Sequence, residues 1–237
     1  MMQNVLITGT GRPQALGHNL VRRYLEQGDR VFACVRGETD AFDALLREYP
    51  EQLSVVVMDV GSTPSVRDAF GQVSAKADHL DTIINNAVTT APDCQSHVME
   101  ADPDYFARSV NVDAAGPLRV IQAFYPLLKK SEAALVVNIS SEAGSIGACY
   151  RTNMTDYAVA KAALNMVTKT VFNAWKGEDN LNILCVHPGW MRTNEGNREA
   201  PLIPYDHAET LRRLFEARRR VKDGDLFITY AGEAYPW

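Results

Sequence analysis

The chain has 237 residues, 46% of them hydrophobic and 22% charged, with a formal net charge of −5. That much apolar residue can bury one large core, and a net negative chain has no general attraction for nucleic acid or an anionic membrane surface. No apolar stretch reaches the ~20 residues of a membrane span, and the N-terminus enters a strand-like run without a basic-then-apolar leader. A cytoplasmic protein of one domain, 1–237, is expected, with no membrane and no nucleic-acid partner.

The first strand-like run covers 4–8 and leads into Thr8-Gly9-Thr10-Gly11-Arg12-Pro13-Gln14-Ala15-Leu16-Gly17. Glycines let the backbone turn tightly and approach a pyrophosphate at a helix N-terminus, where amide N–H groups point outward. Gly9, Gly11, Arg12, Leu16 and Gly17 are therefore candidate cofactor contacts. Leu16, Leu20 and Tyr24, with Val21 and Leu25 beside them, form one apolar helix face that stops at Gly28. The second strand, 31–35, is followed by Arg36, with no acid at its end to hold a ribose diol. A 2′-phosphate carries about two negative charges and suits a guanidinium fork, so Arg36 and Arg12 together point to NADP(H).

Strands at 54–58 and 82–84 come next, then a segment, 105–128, that is apolar almost all round, as is 157–175 further on. One sheet face cannot cover both sides of such helices, so a second apolar surface is expected over them. Tyr125 in the first of these segments and Lys129 just past it have helical i,i+4 spacing. Their place ahead of the next strand, in a segment with Pro117 and Pro126, reads as a surface helix end.

The strand 135–139 delivers Ser140 and Ser141 to its carboxyl end, where ligands of open α/β sheets bind. Tyr157-Ala-Val-Ala-Lys161 follows, a phenol and an ammonium on one helix face. A free tyrosine titrates near pH ~10; a cation ~4 Å away at an effective dielectric of ~20 is worth roughly 4 kcal/mol before desolvation. Lys161 can thus favour phenolate and make Tyr157 an acid-base group. Strands at 182–186 and 226–229 complete the alternation, which predicts an α/β fold: a doubly wound (Rossmann) three-layer sandwich with a seven-stranded parallel sheet. Four cysteines stand singly, without metal-site spacing; Cys34 and Cys185 read as buried strand residues, and Cys149 falls in the loop between Ser141 and Tyr157.

These residues together resemble the short-chain dehydrogenase/reductases over the whole length. The Gly-rich loop is joined by Asp59-Val60 ending the third strand, Asn85-Asn86-Ala87 after the fourth, Asn111 in a long helix, then Ser141, Tyr157, Lys161 and Pro188-Gly189-x-x-x-Thr193. Within the family the chain is similar to the C-factor/sniffer-like carbonyl reductases, in Asn138-Ile-Ser-Ser141, 143–146, 161–166 and the tail 232–237. The resemblance implies hydride transfer between NADP(H) and a small carbonyl or alcohol substrate. It implies that Tyr157 protonates the carbonyl oxygen, that Ser141 hydrogen-bonds it, and that Lys161 tunes Tyr157 and holds the nicotinamide ribose. Asn111 would hold a water that links Lys161 to solvent. Asp59 would meet the adenine and Thr193 the carboxamide, with Val60, Asn86, Ala87, Pro188 and Gly189 as further cofactor contacts. Paired helices of this family imply a homodimer or homotetramer. A non-catalytic NADP-binding sensor or signalling protein on the same fold stays open as the alternative.

The sequence departs from the family in two places. Its Gly loop is two residues longer, with Ala15 where the middle glycine is expected, which negative φ at Ala15 would tolerate. Val88 replaces the glycine of Asn-Asn-Ala-Gly, either narrowing the space beside the nicotinamide or packing in the core. The substrate pocket is expected from the segments 88–100, 142–156 and 190–205, where Tyr150, Trp190 and Met191 offer apolar surface and Glu142 one charge. An uncharged ketone or aldehyde of moderate size fits that composition.

Overall fold

Seven runs of aliphatic and β-branched residues pair into one parallel sheet in the computed structural model, which describes residues 2–193, 198–222 and 224–237. The strands are β1 (Asn4–Thr8), β2 (Arg30–Val35), β3 (Leu53–Val57), β4 (Thr82–Asn85), β5 (Ala134–Ile139), β6 (Leu181–His187) and β7 (Phe227–Thr229). Their order is β3-β2-β1-β4-β5-β6-β7, every neighbour parallel. The chain runs outward from β1 to β3, then returns to place β4 on the other side of β1. That reversal opens a crevice at the carboxyl ends of β1 and β4, the place where doubly wound sheets bind ligands.

The two-residue period of a strand supplies both faces of the sheet with core. Val5 and Ile7 of β1, with Leu135 and Val137 of β5, pack against Leu20 and Tyr24 of α1 (Leu16–Glu26) and Leu211 and Phe215 of α7 (Pro204–Arg218). Leu6, Phe32 and Val136 point the opposite way. They meet Val66 of α3 (Thr63–Ser74), Phe124 of α5 (Gly116–Leu128) and Val171 of α6 (Thr155–Ala174). The described residues also form the helices α2 (Asp43–Glu48) and α4 (Phe106–Val110). Gly28 takes φ 85° just past α1, the left-handed stop its sequence position predicts.

Between α4 and α5 the chain makes a π-helical turn, Asn111–Ala115. Pro117 explains it: the ring has no N–H to give the Asp113 carbonyl and would clash with it in a regular helix, so the turn widens by one residue. A second device sits at the opposite end of the sheet. The Arg219 guanidinium donates to the carbonyls of Asp81 (2.7 Å) and Ala133 (3.0 Å), the residues before β4 and β5, and pairs with Glu216 at 2.8 Å. Cys34 and Cys185 are buried, as their strand positions predict, and Cys149 is exposed. Among the described residues no helix is long and apolar enough to cross a membrane.

Candidate active site

The Gly-rich loop is pressed against the end of β4. Gly9 has φ 71°, and a Cβ there would lie 2.6 Å from the Ala87 Cα; a Cβ on Gly17 would lie 2.4 Å from Asn86 Nδ2 and 2.7 Å from the Gly9 carbonyl. Thr8 Oγ1 accepts the N–H groups of Asn86 and Ala87 at 3.0 Å each. Only glycine fits at 9 and 17 because β4 arrives so close. Ala15, by contrast, has φ −88°, so its Cβ is tolerated as expected, and it caps α1 without any side-chain hydrogen bond to the first-turn amides. The extra residues close a turn, with Ala15 N–H donating to the Arg12 carbonyl at 3.0 Å. A Cβ on Gly11 would lie 3.5 Å from Val35, and Arg12 and Arg36, the residues that follow these two, are both exposed. This is a cradle of helix-start amides, the chemistry an anionic diphosphate requires.

Further along the same sheet edge, β5 ends in two serines with different roles. Ser140 turns inward, its hydroxyl donating to Asn165 Oδ1 at 2.7 Å, where the Cys185 thiol also points. Ser141 instead donates to Glu142 Oε2, while its oxygen accepts the Ala143 N–H at 3.2 Å. Glu142 is ion-paired with Arg151, whose Nε lies 3.0 Å from Oε1. Burial would raise the Glu142 carboxyl, but hydrogen bonds from Ser141 and Arg151 outweigh it and hold the group below the ordinary glutamate value. The turn after Ser141 is seated on α6: a Cβ on Gly144 would lie 2.8 Å from the Lys161 backbone.

Helix α6 carries Tyr157 and Lys161. It starts from Met154, a non-glycine residue held at φ 55°, whose N–H donates to the Cys94 carbonyl at 2.7 Å. The Lys161 side chain is buried, its Nζ 5.4 Å from the Tyr157 ring centroid and 3.0 Å from the Ile139 carbonyl. Its third partner was not visible in the sequence: Asp113 of the π turn, wholly buried, has Oδ2 3.4 Å from Nζ. Burial would lower the lysine, and the charge and hydrogen bond of Asp113 together with the Tyr157 phenol more than restore it, so Lys161 sits above its ordinary value. Asn111 faces elsewhere. Its Nδ2 donates to the Gly61 carbonyl at 3.1 Å, and its carbonyl accepts from Arg119 at 3.0 Å.

Asp156, next to Tyr157, is a second buried acid that sequence reasoning passed over. It accepts the Ala91 N–H at 2.8 Å and the Ser109 hydroxyl at 2.7 Å, while Asp113 accepts the Thr89 N–H at 2.8 Å. Two buried carboxylates thus tie down the segment after β4. The sequence signal for both is an acid within an otherwise apolar helix.

Asp59 Oδ1 accepts the Gly61 N–H at 2.9 Å, and Val60 beside it is buried. The Pro188 carbonyl accepts from His207 Nε2 at 2.6 Å. Gly189 has φ 82°, and a Cβ there would collide with Leu202 at 2.6 Å. Thr193 donates its N–H to the Met191 carbonyl at 3.0 Å. Of the pocket segments, 88–100 is joined to 142–156, with Val98 N–H donating to the Thr152 carbonyl at 2.8 Å. Val88 is 52% exposed, so it does not pack in the core, and Tyr150 and Trp190 are exposed while Met191 is buried. Residues 194–197 of the third expected segment lie outside the described residues. Tyr125 and Lys129 are far from this chemistry: α5 ends between them, and both side chains engage Glu178.

Residues 3–201 match the short chain dehydrogenase family. The chain is 33% identical to the short-chain dehydrogenase RED3 of Pyricularia oryzae, over 98% of each chain. It is 31% identical to C-signal of Myxococcus xanthus, over 67% of this chain and 93% of that one. Its structure superposes on a carbonyl reductase from Pseudomonas aeruginosa in complex with NADP, with a TM-score of 0.79 and 27% identity over the whole of both chains. With the Gly cradle, Ser141 and the Tyr157–Lys161 pair on one sheet edge, this chain belongs to the short-chain dehydrogenase/reductase family, whose members are oxidoreductases using a nicotinamide cofactor.

Proposed function

We propose that this oxidoreductase is NADP(H)-dependent and reduces small, uncharged carbonyl compounds, running in reverse as an alcohol dehydrogenase. The observation that carries the reading is the buried Lys161 ammonium beside the Tyr157 ring at the carboxyl end of β5. An ordinary structural lysine keeps its charge in water. One buried against a phenol next to a serine-bearing strand end is suited to proton transfer.

The cofactor supplies hydride when bound. The α1 N-terminus and the cradle of Gly9 and Gly17 suit its diphosphate, and Arg12 and Arg36 suit a 2′-phosphate. Tyr157 holds the proton for the substrate oxygen, and Lys161 steadies the phenolate left behind. Ser141 donates a hydrogen bond to the same oxygen, where an oxyanion-type donor is worth roughly 2.7–4 kcal/mol. To do so its hydroxyl rotates away from Glu142, which keeps Arg151 as a partner. Because Glu142 and Arg151 neutralise each other, neither is a free charge for an ionic substrate, and the exposed Val88, Tyr150 and Trp190 favour an apolar one.

The name of the relative C-signal supports a second reading, a signalling protein on the same fold. A pure binder has no use for Ser141, Tyr157 and Lys161 together, which favours the enzyme. Adding a panel of aldehydes and ketones to protein and NADPH decides between them: the reading expects at least one carbonyl to accelerate NADPH oxidation, and bound NADPH with no acceleration by any would overturn it.

A further inference from the structure

Lys161 is three per cent exposed and has a counter-ion that the proton-transfer chemistry has not used, Asp113, with no exposure at all. Its two carboxylate oxygens are divided. Oδ1 accepts the Thr89 N–H at 2.8 Å and Oδ2 faces Lys161 Nζ at 3.4 Å, longer than the about 2.7–2.9 Å of a tight charge-assisted hydrogen bond and so an ion pair held at slight distance. The π turn makes this possible, since the widened helix places residue 113 against α6 while Asn111 turns to Gly61.

We propose that Asp113 is the positioning residue of the Tyr157–Lys161 pair: it anchors the ammonium beside the phenol and offsets its charge, so that the pair keeps its proton through neutral pH. This rests on the reading of Tyr157 as the proton donor.

The charge count gives the sign. With Asp113 ionised, Lys161 protonated and Tyr157 a phenol, the buried cluster is neutral; giving up the tyrosine proton leaves it with one negative charge. If residue 113 is Asn, the same step takes the cluster from one positive charge to neutral. Burial disfavours net charge, so the wild-type cluster resists losing its proton and the Asn cluster releases it readily. The other titratable and charged groups facing the cluster are Cys185 on β6, beside Lys161, Asp156 on α6, beside Asp113, and Arg151, which faces Tyr157 while paired with Glu142 and is unchanged by the substitution. Burial keeps the Cys185 thiol neutral, raising it to about 11, so it adds no charge. Asp156 opposes a charge on Asp113 and is unchanged by the substitution.

Asp113→Asn is nearly isosteric and retains an oxygen for the Thr89 N–H. For the holoenzyme reducing a carbonyl, the alkaline limb of the pH–kcat/KM profile is expected to move down by about 1 pH unit or more, with the circular dichroism spectrum unchanged. A folded variant whose profile coincides with wild type would overturn the proposal, since a merely structural acid would not move the limb. The second measurement needs neither a substrate nor a variant that folds: the Nζ nitrogen of Lys161, followed by NMR in wild-type protein labelled at lysine, is expected to titrate above the ~10.4 of a free lysine. Titration at or below that value would overturn the proposal. If no carbonyl is turned over at all, the functional reading fails while the lysine titration still decides this one.

Discussion

The Asn86 side chain reaches back across the switch point and donates to the Gly9 carbonyl at 3.1 Å, clamping the glycine loop to the end of β4. The same amide bonds the Thr8 carbonyl at 3.0 Å, so it has no room to retreat when a methyl group is added beside it.

Gly17→Ala places its Cβ into that clamp, against Asn86 Nδ2 and the Gly9 carbonyl. Overpacking of this kind costs about 1–3 kcal/mol, and the loop can yield only by losing the shape of the cradle. Weaker NADPH binding by roughly tenfold or more is expected in a fluorescence titration, with a lower melting temperature. Unchanged affinity would show that the loop does not hold the diphosphate.

Arg36, just past β2, and Arg12, in the glycine loop after β1, are the cations proposed to answer a 2′-phosphate. Arg36→Asp is expected to weaken NADPH more than NADH, because it replaces a guanidinium fork with a like charge. Equal losses for both cofactors in a binding titration would count against the assignment.

Arg219 gathers the carbonyls of Asp81 and Ala133, the Thr82 hydroxyl at 2.8 Å and Glu216 into one planar fork. Replacing it with Met takes this donor from the Ala133 carbonyl and the Glu216 charge, while the Asp81 carbonyl keeps the Leu135 N–H at 2.9 Å. A loss of about 1–3 kcal/mol is expected in urea unfolding, from a residue at the opposite end of the sheet from the active site. A loss below about 1 kcal/mol would mean that water replaces the fork freely.

Along α6, Met166 is 64% and Val159 41% exposed, and an apolar groove between α5 and α6 is lined by Leu118, Ile121, Tyr125 and Val171. Such faces favour a covering partner of the same kind, and we expect a homodimer or homotetramer. Light scattering at micromolar concentration checks this, and a monomer mass would contradict it.

Most of the sheet was legible because the inner strands are buried on both sides and so spell short aliphatic runs, such as Leu135 to Val137. Tyr157 and Lys161 were legible because their contact lies within one helix turn, where spacing alone decides proximity. The choice between Ser140 and Ser141 needed the family resemblance, and the structure supplies its physical reason in Asn165, which takes Ser140 inward. What the sequence did not show are the partners brought together by the fold: Asp113 with Lys161, Glu142 with Arg151, Arg219 with the strand ends. No local pattern encodes such pairs, since they depend on how helices pack across the sheet. The π turn was half-visible, with Pro117 marking a break in the helix and nothing marking its width.

The central claim is that Tyr157, and not its look-alike Tyr125, supplies the proton. Tyr125 hydrogen-bonds Glu178 at 3.2 Å and stacks on Trp175, so its hydroxyl serves the protein surface. The direct measurement is steady-state carbonyl reduction by Tyr157→Phe and Tyr125→Phe, with NADPH binding measured alongside. Tyr157→Phe should still bind NADPH while kcat falls by ~10²-fold or more, and Tyr125→Phe should keep nearly full turnover. Full carbonyl reduction by Tyr157→Phe, or inactivation by Tyr125→Phe with Tyr157→Phe unaffected, would contradict the account.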